Sequence, residues 1–360
     1  MTTVELTLTG PDGANPLGFL CALGTLRTLS NAWPDSEVKM KWKQIGAAWR
    51  PVLRASHADL DGKDEAGQKD VIVNAILAEL GRTEGHPMMK WGRSHDNPAA
   101  DYRTNELRDA RSGKAGGSHD NPAADYRTNE LRDARSGKAG RSHDIPAADY
   151  RTYASDAIKS LFNQSDHRPA EWAAALACDQ ITDEKGNVKY TAFRTMSGQG
   201  RQYFLRQMHL LQQSVEAQHI AEALFEWRYQ DEQLNLRFEP FEDRRHALRW
   251  KSPDEDTIKT VWGANRLAAE GLPLYPVFPV HGELRTVGFR GFSKDNTFWT
   301  WPLWNVFLNV SVVRSILALP ALQAEQPSRD ELLPLGIVEV YRTQRINVGK
   351  FRAFTPAQAI

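Results

Sequence analysis

The sequence has 360 residues, with 45 basic and 45 acidic side chains and a formal net charge of +0. This length suggests two domains, or one large domain with insertions, and a hydrophobic fraction of 41% is enough to form a core. Balanced charge argues against tight binding of bare DNA by the isolated chain, because such binding normally requires an excess of basic residues. It permits a local basic patch, or binding inside an assembly whose other subunits supply charge.

The first part of the chain predicts a strand followed by a buried helix. Residues 4–9 alternate apolar and polar side chains, which indicates a strand. Asn15 can cap the next helix with Pro16 at its first position, and residues 17–29 are apolar around most of that helix. Further along, the patterns predict a strand at 38–42, a loop at 59–70 and a helix at 71–80.

A 24-residue unit is repeated in the middle of the sequence. Residues 93–116 and 117–140 differ only in their first residue, and residues 141–152 begin a third copy with Ile145 in place of Asn. The copies contain few large apolar residues, so they cannot form a core by stacking as solenoid repeats do. We interpret residues 93–152 as a duplication in an exposed loop, where insertions cost little. A duplicated functional segment is the alternative.

The remaining sequence predicts helices at 153–162, 169–176, 257–271 and 310–319, a hairpin at 181–193, and strands at 284–292 and 338–348. Its longest helical pattern covers residues 201–227. We therefore expect an α+β fold with an N-terminal strand–helix unit, a long central helix and C-terminal strands. The expected organisation is an N-terminal α/β region at 1–92, the repeat insertion at 93–152 and the main α+β region at 153–360.

A glycine-containing segment precedes the long helical pattern. Such a turn directs backbone N–H groups outward at the positive end of a helix, where arginines can hold phosphate beside it. The segment contains neither a Walker loop nor a complete dinucleotide fingerprint, and a plain turn with a helix cap is the alternative. The residues that we expect to contact nucleic acid here are Arg194, Ser197, Gly198, Gln199, Gly200, Arg201 and Gln202.

Two other segments mix basic and aromatic side chains, a combination that suits a nucleic-acid backbone. One surrounds Trp250, and the other is the last twenty residues, 341–360, which contain no acidic residue. A solvated charged face, a docking tail or an edge strand is the alternative. The residues expected to contact nucleic acid are Arg244, Arg245 and Arg249 in the first segment, and Arg342, Arg345, Lys350 and Arg352 in the second.

The sequence predicts no catalytic site, metal site or cofactor. Its three His-Asp pairs are copies of one polar repeat, whereas metal ligands are normally supplied by several rigid elements. It has no GxSxG elbow, and Cys21 and Cys178 are neither a disulfide framework nor placed to stabilise a thiolate. Trp299, Trp301 and Trp304 are interpreted as core or as a subunit interface.

No targeting or membrane segment is expected. The N-terminus lacks a basic region followed by an apolar run, so we predict no signal peptide. The sequence contains no run of about 18 apolar residues, so it predicts no membrane span. These patterns favour a cytoplasmic protein without a membrane partner.

Five short motifs lie outside the repeats, at residues 15–27, 196–205, 247–250, 263–268 and 300–304. They resemble motifs of CRISPR-associated proteins of the type I-U (also called I-G) systems. That family often begins with a strand, an Asn-Pro or Pro-Leu turn and an ALGxLR-like helix. The chain is shorter than many large subunits of that family, and both a large-subunit and an accessory-subunit role stay open.

The resemblance implies a non-catalytic subunit of a Cascade-type, crRNA-guided surveillance complex in antiviral defence. A large subunit of this kind recognises the motif adjacent to the target (the PAM) and helps to open the duplex, while the guide reads the sequence by base pairing. Its partners would be other CRISPR effector subunits, crRNA and target double-stranded DNA. By that analogy Gln199 and Gln202 would bond base edges, while Arg194 and Arg201 hold phosphate. A stand-alone defence nuclease and a purely structural protein–protein subunit are the alternatives.

Overall fold

A computed structural model describes residues 3–92, 144–196, 203–240, 259–293, 296–348 and 351–360. Helices and strands are both abundant in these ranges, and the α+β class predicted from the sequence is confirmed. Within the same ranges, no helix has both the length and the apolar character needed to cross a membrane.

The N-terminal unit is a small antiparallel sheet with one helix packed on it and a second helix packed on the first. Its strands are β1 (Thr3–Thr7), β2 (Val38–Ile45) and β3 (Ala48–Ser56), in the order β1-β3-β2. Helix α1 (Pro16–Ala32) connects β1 to β2, and helix α2 (Glu65–Leu80) follows β3. Because β3 lies between the two strands that α1 connects, the topology is a split β-α-β unit.

The middle of the chain is mainly helical. It contains α3 (Pro87–Trp91), α4 (Ala147–Gln164), α5 (Arg168–Leu176), the hairpin of β4 (Ala177–Thr182) and β5 (Val188–Tyr190), α6 (Phe204–Ser214) and α7 (Ala217–Phe225). The prediction of one long central helix is wrong. Val215 and Glu216 have extended backbone between α6 and α7, and Glu216 forms a capping box with His219 that begins the second helix.

The C-terminal part contains a five-stranded sheet. The elements are β6 (Asp231–Glu232), β7 (Lys259–Thr260), α8 (Trp262–Gly271), β8 (Val277–Val280), β9 (Glu283–Thr286), β10 (Phe289–Ser293), β11 (Asn296–Trp304), α9 (Val310–Leu317), α10 (Arg329–Leu332), β12 (Ile337–Val348), β13 (Phe351–Phe354) and β14 (Gln358–Ala359). The sheet order is β10-β11-β12-β13, and β14 also pairs with β12. The strand predicted at 284–292 is divided in two at Gly288, whose φ is +80°.

Residues from both halves of the sequence share one hydrophobic core. Trp299, Trp301 and Trp304 of β11 are fully buried, which confirms their interpretation as core residues. The indole Nε1 of Trp301 donates to the carbonyl oxygen of Gly13 at 2.8 Å, and that of Trp304 donates to Met40 at 2.8 Å. The C-terminal sheet is therefore tied directly to the N-terminal unit.

Helices α1 and α8 approach each other closely at a glycine. Asn15 caps α1 by accepting hydrogen bonds from the amides of Leu17 and Gly18 at 2.8 and 3.1 Å. Eight residues after Pro16, a Cβ added to Gly24 would lie 1.7 Å from the carbonyl oxygen of Leu267. The absence of a side chain at Gly24 therefore sets the separation of the two helices.

The third copy of the repeat contributes to this core. Residues 93–143 lie outside the described residues, and the next described residue is Asp144. Ile145 and Tyr150 are 1% and 2% exposed, and α4 begins at Ala147. Residues 145–152 of the predicted insertion thus pack on the core, and Ile145 provides a buried apolar side chain where the other two copies have Asn.

Candidate nucleic-acid interface

The turn at residues 191–196 is fixed on the core by Phe193. Its ring is fully buried and lies 5.0 Å from Trp299 and 4.8 Å from Phe289, measured between ring centroids. The hydroxyl of Thr195 donates to the carbonyl oxygen of Leu236 at 2.8 Å. Because the residues on both sides of Arg194 are anchored, the backbone that carries this arginine is held in place.

The guanidinium of Arg194 is oriented mainly by contacts that leave its charge in place. Its Cζ lies 3.9 Å from the ring centroid of Tyr190, and its Nε donates to the carbonyl oxygen of Met196 at 3.1 Å. The ion pair with Asp144 is long, at 3.4 Å between Nη2 and Oδ1. A ring face and a carbonyl orient a cation without cancelling its charge.

The β12–β13 hairpin brings two further arginines to this turn. The backbone amide of Arg352 donates to the carbonyl oxygen of Thr195 at 3.1 Å. The Nη1 of Arg345 donates to the carbonyl oxygen of Ala192 at 2.7 Å. We refer to Arg194, Arg345 and Arg352 as the arginine cluster, and the side chain that it exposes most is Arg352.

The electrostatics of the arginine cluster favour an anion. Burial, and then the charge of Arg352, lowers the pKa of Arg345 to about 10. Burial, and then the charge of Arg194, lowers the pKa of Arg352 as well. A guanidinium with a pKa near 10 is still charged at neutral pH, so the arginines repel one another, and Asp144 pairs with Arg194 and offsets one of the three charges. A phosphate placed among them would relieve that repulsion.

Most of the sequence-predicted contact residues lie outside the described residues. They are Ser197, Gly198, Gln199, Gly200, Arg201, Gln202, Arg244, Arg245, Arg249 and Lys350. The described residues beside them are informative. Met196 precedes the first segment, Pro240 precedes the second and bridges to Phe354, and the third lies between β12 and β13. All three predicted segments are therefore attached to the fold close to the arginine cluster.

Arg342 has a different position from the other predicted arginines. It is 8% exposed and lies on the face of β12 opposite to Arg345, because side chains alternate along a strand. Its guanidinium donates to Thr300 Oγ1 at 2.9 Å and to the carbonyl oxygens of Ala324 and Glu325 at 2.6 and 2.7 Å. Burial lowers its pKa to about 10. This geometry gives Arg342 a structural role, so we leave it out of the candidate interface.

The described part of the chain holds no group of three or more His, Cys, Asp or Glu side chains that could bind a metal ion. Cys21 is fully buried on α1, and burial raises the pKa of its thiol far above the usual range. It therefore stays protonated and is a poor nucleophile.

A buried ionic network, which no sequence pattern predicted, joins three helices and the residue before a fourth. Arg27 of α1 contacts Glu171 and Glu270 at 2.8 and 2.7 Å, and Arg266 contacts Glu270 at 2.7 Å. Burial alone would raise the pKa of Glu270, but Arg266, His86 and Arg27 hold it well below its usual range. Because its members come from α1, α5, α8 and the residue before α3, no short motif reveals the network.

A small cavity lies beside this network. Its volume of about 20 Å³ is enough for one water molecule, and its lining includes Arg27, Glu79, His86 and Arg168. Arg168 pairs with Glu79 at 3.1 Å, so these charges already compensate each other. The network therefore holds the helices together rather than forming an evident ligand site.

Comparison with known proteins adds no assignment. No family model, no curated protein and no solved structure matches this chain. The function is therefore inferred from the sequence resemblance and from the positions and charges of the residues described above.

Proposed function

We propose that this chain is a non-catalytic, nucleic-acid-contacting subunit of a crRNA-guided CRISPR surveillance complex in the cytoplasm. The observation that carries the proposal is the convergence of Arg194, Arg345 and Arg352 at the place where three glycine-containing or basic–aromatic segments join the fold. The sequence resemblance supplies the kind of assembly, and the arginine cluster supplies the contact.

The members of the cluster have different roles in this proposal. Arg194 and Arg352 hold phosphates of target DNA or crRNA, whereas Arg345 positions the turn through its bond to Ala192. Phosphate contacts fix the position of a protein on nucleic acid without reading the sequence. That division suits a complex in which the guide reads the target by base pairing and this subunit contacts the adjacent motif and the opened duplex.

Balanced charge is compatible with this role. An isolated chain with a net charge of +0 has little long-range attraction for DNA, so neighbouring subunits would supply the field that brings the duplex near. The cluster would then act over short distances, where its geometry matters more than the overall charge.

The test compares the complex assembled with the wild-type chain and the complex assembled with the double variant Arg194→Gln/Arg352→Gln. We expect target DNA to bind roughly tenfold more weakly near physiological salt, with a salt slope smaller by about 1.8, because two phosphate contacts are lost. Fluorescence anisotropy over a range of potassium chloride concentrations measures both quantities. Exchange of both arginines is conservative in size, so assembly should survive it.

The control is Arg228→Gln/Arg329→Gln, which removes the same charge from two exposed arginines that pair with Glu226 and Glu339. If the cluster variant keeps the affinity and slope of this control, the proposed contact is wrong. Ultraviolet crosslinking within the complex adds a second measurement. A failure to crosslink to RNA or DNA would favour the purely structural subunit, and metal-dependent cleavage by purified chain would favour the nuclease.

A further inference from the structure

The outer face of the N-terminal sheet carries a row of lysines. Val38, Met40 and Trp42 of β2 are buried against the helices, so Lys39, Lys41 and Lys43 lie on the opposite face. Strand β3 adds two arginines to that face, since the register pairs Lys39 with Arg54 and Lys43 with Arg50. Five cationic side chains therefore share one side of a two-strand ribbon.

Three of these cations contact groups that carry no charge. The ring centroid of Phe307 lies 4.3 Å from Lys41 Nζ and 3.6 Å from Arg54 Cζ. The Nη1 of Arg50 donates to the carbonyl oxygens of Gly10 and Pro11 at 2.8 and 3.0 Å. An aromatic face and carbonyl oxygens orient a cation but leave its charge available to a ligand.

Two carboxylates reduce the charge of this face without cancelling it. Glu5 of β1 contacts Arg54 at 3.0 Å from Nε, and Glu37 pairs with Lys39. Five cations against two carboxylates leave an excess of three positive charges. Lys43 is exposed, and Lys39 and Arg54 keep 28% and 36% of their side chains accessible. The charge therefore faces solvent.

We propose that this outer face, formed by Lys39, Lys41, Lys43, Arg50, Arg54 and Phe307, binds the sugar-phosphate backbone of single-stranded nucleic acid. The site is separate from the arginine cluster, shares no residue with it and does not depend on the CRISPR assembly. Its ligand is an extended polyanion, bound through backbone charge without sequence preference.

The geometry of the row favours a single strand over a duplex. Alternate residues of a strand are roughly 6.6 Å apart, so the three lysines project from evenly spaced positions along one line of the sheet. An extended single strand presents its phosphates along such a line, whereas each backbone of a duplex winds away from it. Arg50 and Arg54 broaden the line into a track on the neighbouring strand.

The experiment measures binding of a short fluorescein-labelled single-stranded RNA to purified full-length chain by anisotropy. Lys41→Gln/Lys43→Gln should weaken binding roughly tenfold near physiological salt and reduce the salt slope by about 1.4, the value for two lost contacts to a single strand. Circular dichroism melting shows whether each variant is folded. Arg54→Gln provides an independent check, because Phe307 would still hold Lys41.

The matched control is Lys159→Gln/Lys185→Gln, which removes two exposed lysines from α4 and from the turn between β4 and β5. Wild-type-like binding by the sheet variant, or an equal loss in the control, would overturn the inference. Tighter binding to duplex, to polyglutamate or to anionic phospholipid vesicles than to the single strand would also overturn it.

The same assay separates this inference from the proposed function. If Arg194→Gln/Arg352→Gln binds the single strand normally while Lys41→Gln/Lys43→Gln does not, the sheet face is supported irrespective of the arginine cluster. If only the arginine variant loses binding, the sheet face is ruled out and the cluster is supported.

Discussion

The backbone amide of Arg352 donates a 3.1 Å hydrogen bond to the carbonyl oxygen of Thr195, which fastens the C-terminal hairpin to the turn that carries Arg194. These two segments are far apart in sequence, and each was predicted separately to contact nucleic acid. The bond brings their cations to one place, where burial and like charge lower the pKa of Arg352. The fold thus converts two weak sequence signals into one positively charged cluster.

Substitution of Arg342 should lower the free energy of unfolding strongly, whereas substitution of Arg352 should change it little. Arg342→Met removes a buried guanidinium that donates to the carbonyl oxygens of Leu322, Ala324 and Glu325, so we expect a loss of about 3 kcal/mol in the free energy of unfolding. Arg352→Gln keeps its backbone bond and should change that free energy by less than about 0.5 kcal/mol. Urea denaturation measures both. Equal stabilities for the two variants would contradict the structural role given to Arg342.

Gly24→Ala should destabilise the protein despite the better helix propensity of alanine. The added methyl would lie 1.7 Å from the carbonyl oxygen of Leu267, so α1 and α8 must move apart. We expect a loss of about 3 kcal/mol, the upper range for overpacking a core. Gly67→Ala on α2 is the control, because its Cβ would meet mainly flexible side chains at 3.1 Å or more. Thermal melting of both variants tests this, and equal melting temperatures would disprove the close contact.

The stability of the protein should fall in mild acid because of His86. Burial lowers the pKa of His86 from 6.5 to about 4, although Glu270 opposes the shift. Between pH 6.5 and about pH 4, His86 therefore binds a proton in the unfolded chain but not in the folded chain. The free energy of unfolding therefore decreases as the pH falls through this window, by about 2 kcal/mol between pH 7.5 and pH 5. The pKa of Glu270 is held well below 4.5, so the stability that its ionised form provides is lost only at lower pH.

His86→Asn is the variant that checks this pH dependence. His86 Nδ1 accepts the amide of Met88 at 3.1 Å at the start of α3, and an asparagine oxygen can replace that acceptor without titrating. Urea denaturation at several pH values should show a flatter dependence above pH 5 in the variant. An unchanged slope would assign the acid sensitivity to other groups.

The repeat copies should differ in their importance for stability. Ile145→Asn, which restores the residue of the other copies, places an amide at a site that is 1% exposed and should cost about 3 kcal/mol. Deletion of residues 117–140 should change the free energy of unfolding by less than about 1 kcal/mol, because loop length contributes weakly. Chemical denaturation measures both, and a large loss on deletion would mean that the second copy supports the fold.

Local signals predicted much of the N-terminal unit. Asn15 followed by Pro16 marks the start of α1, and the alternation at residues 38–42 marks β2, since capping and strand periodicity depend only on neighbours in sequence. The break between α6 and α7 was missed. Apolar spacing continues through Val215, and only the capping box of Glu216 and His219 shows that a new helix begins there.

The sites depend on contacts that a sequence does not display. Arg194 and Arg352 were identified in separate segments, but their proximity follows from the turn packing on Phe193 and from the register of β12 and β13. Similarly, the lysines of β2 alternate visibly in the sequence. The sequence does not show that they belong to a larger cationic face, because Arg50 and Arg54 come from the neighbouring strand β3 and Phe307 comes from a distant loop.

The indole hydrogen bonds of Trp301 and Trp304 have a consequence for any ligand that touches both cationic surfaces. Through them, β11 is bound to Gly13 and to β2, while β12, the next strand, carries Arg345. The lysine row and the arginine cluster are thus mounted on one tightly packed core, which resists deformation. A polynucleotide that binds both surfaces would have to adapt its own path to their spacing. The fixed separation of the two surfaces would then determine the length of strand between them.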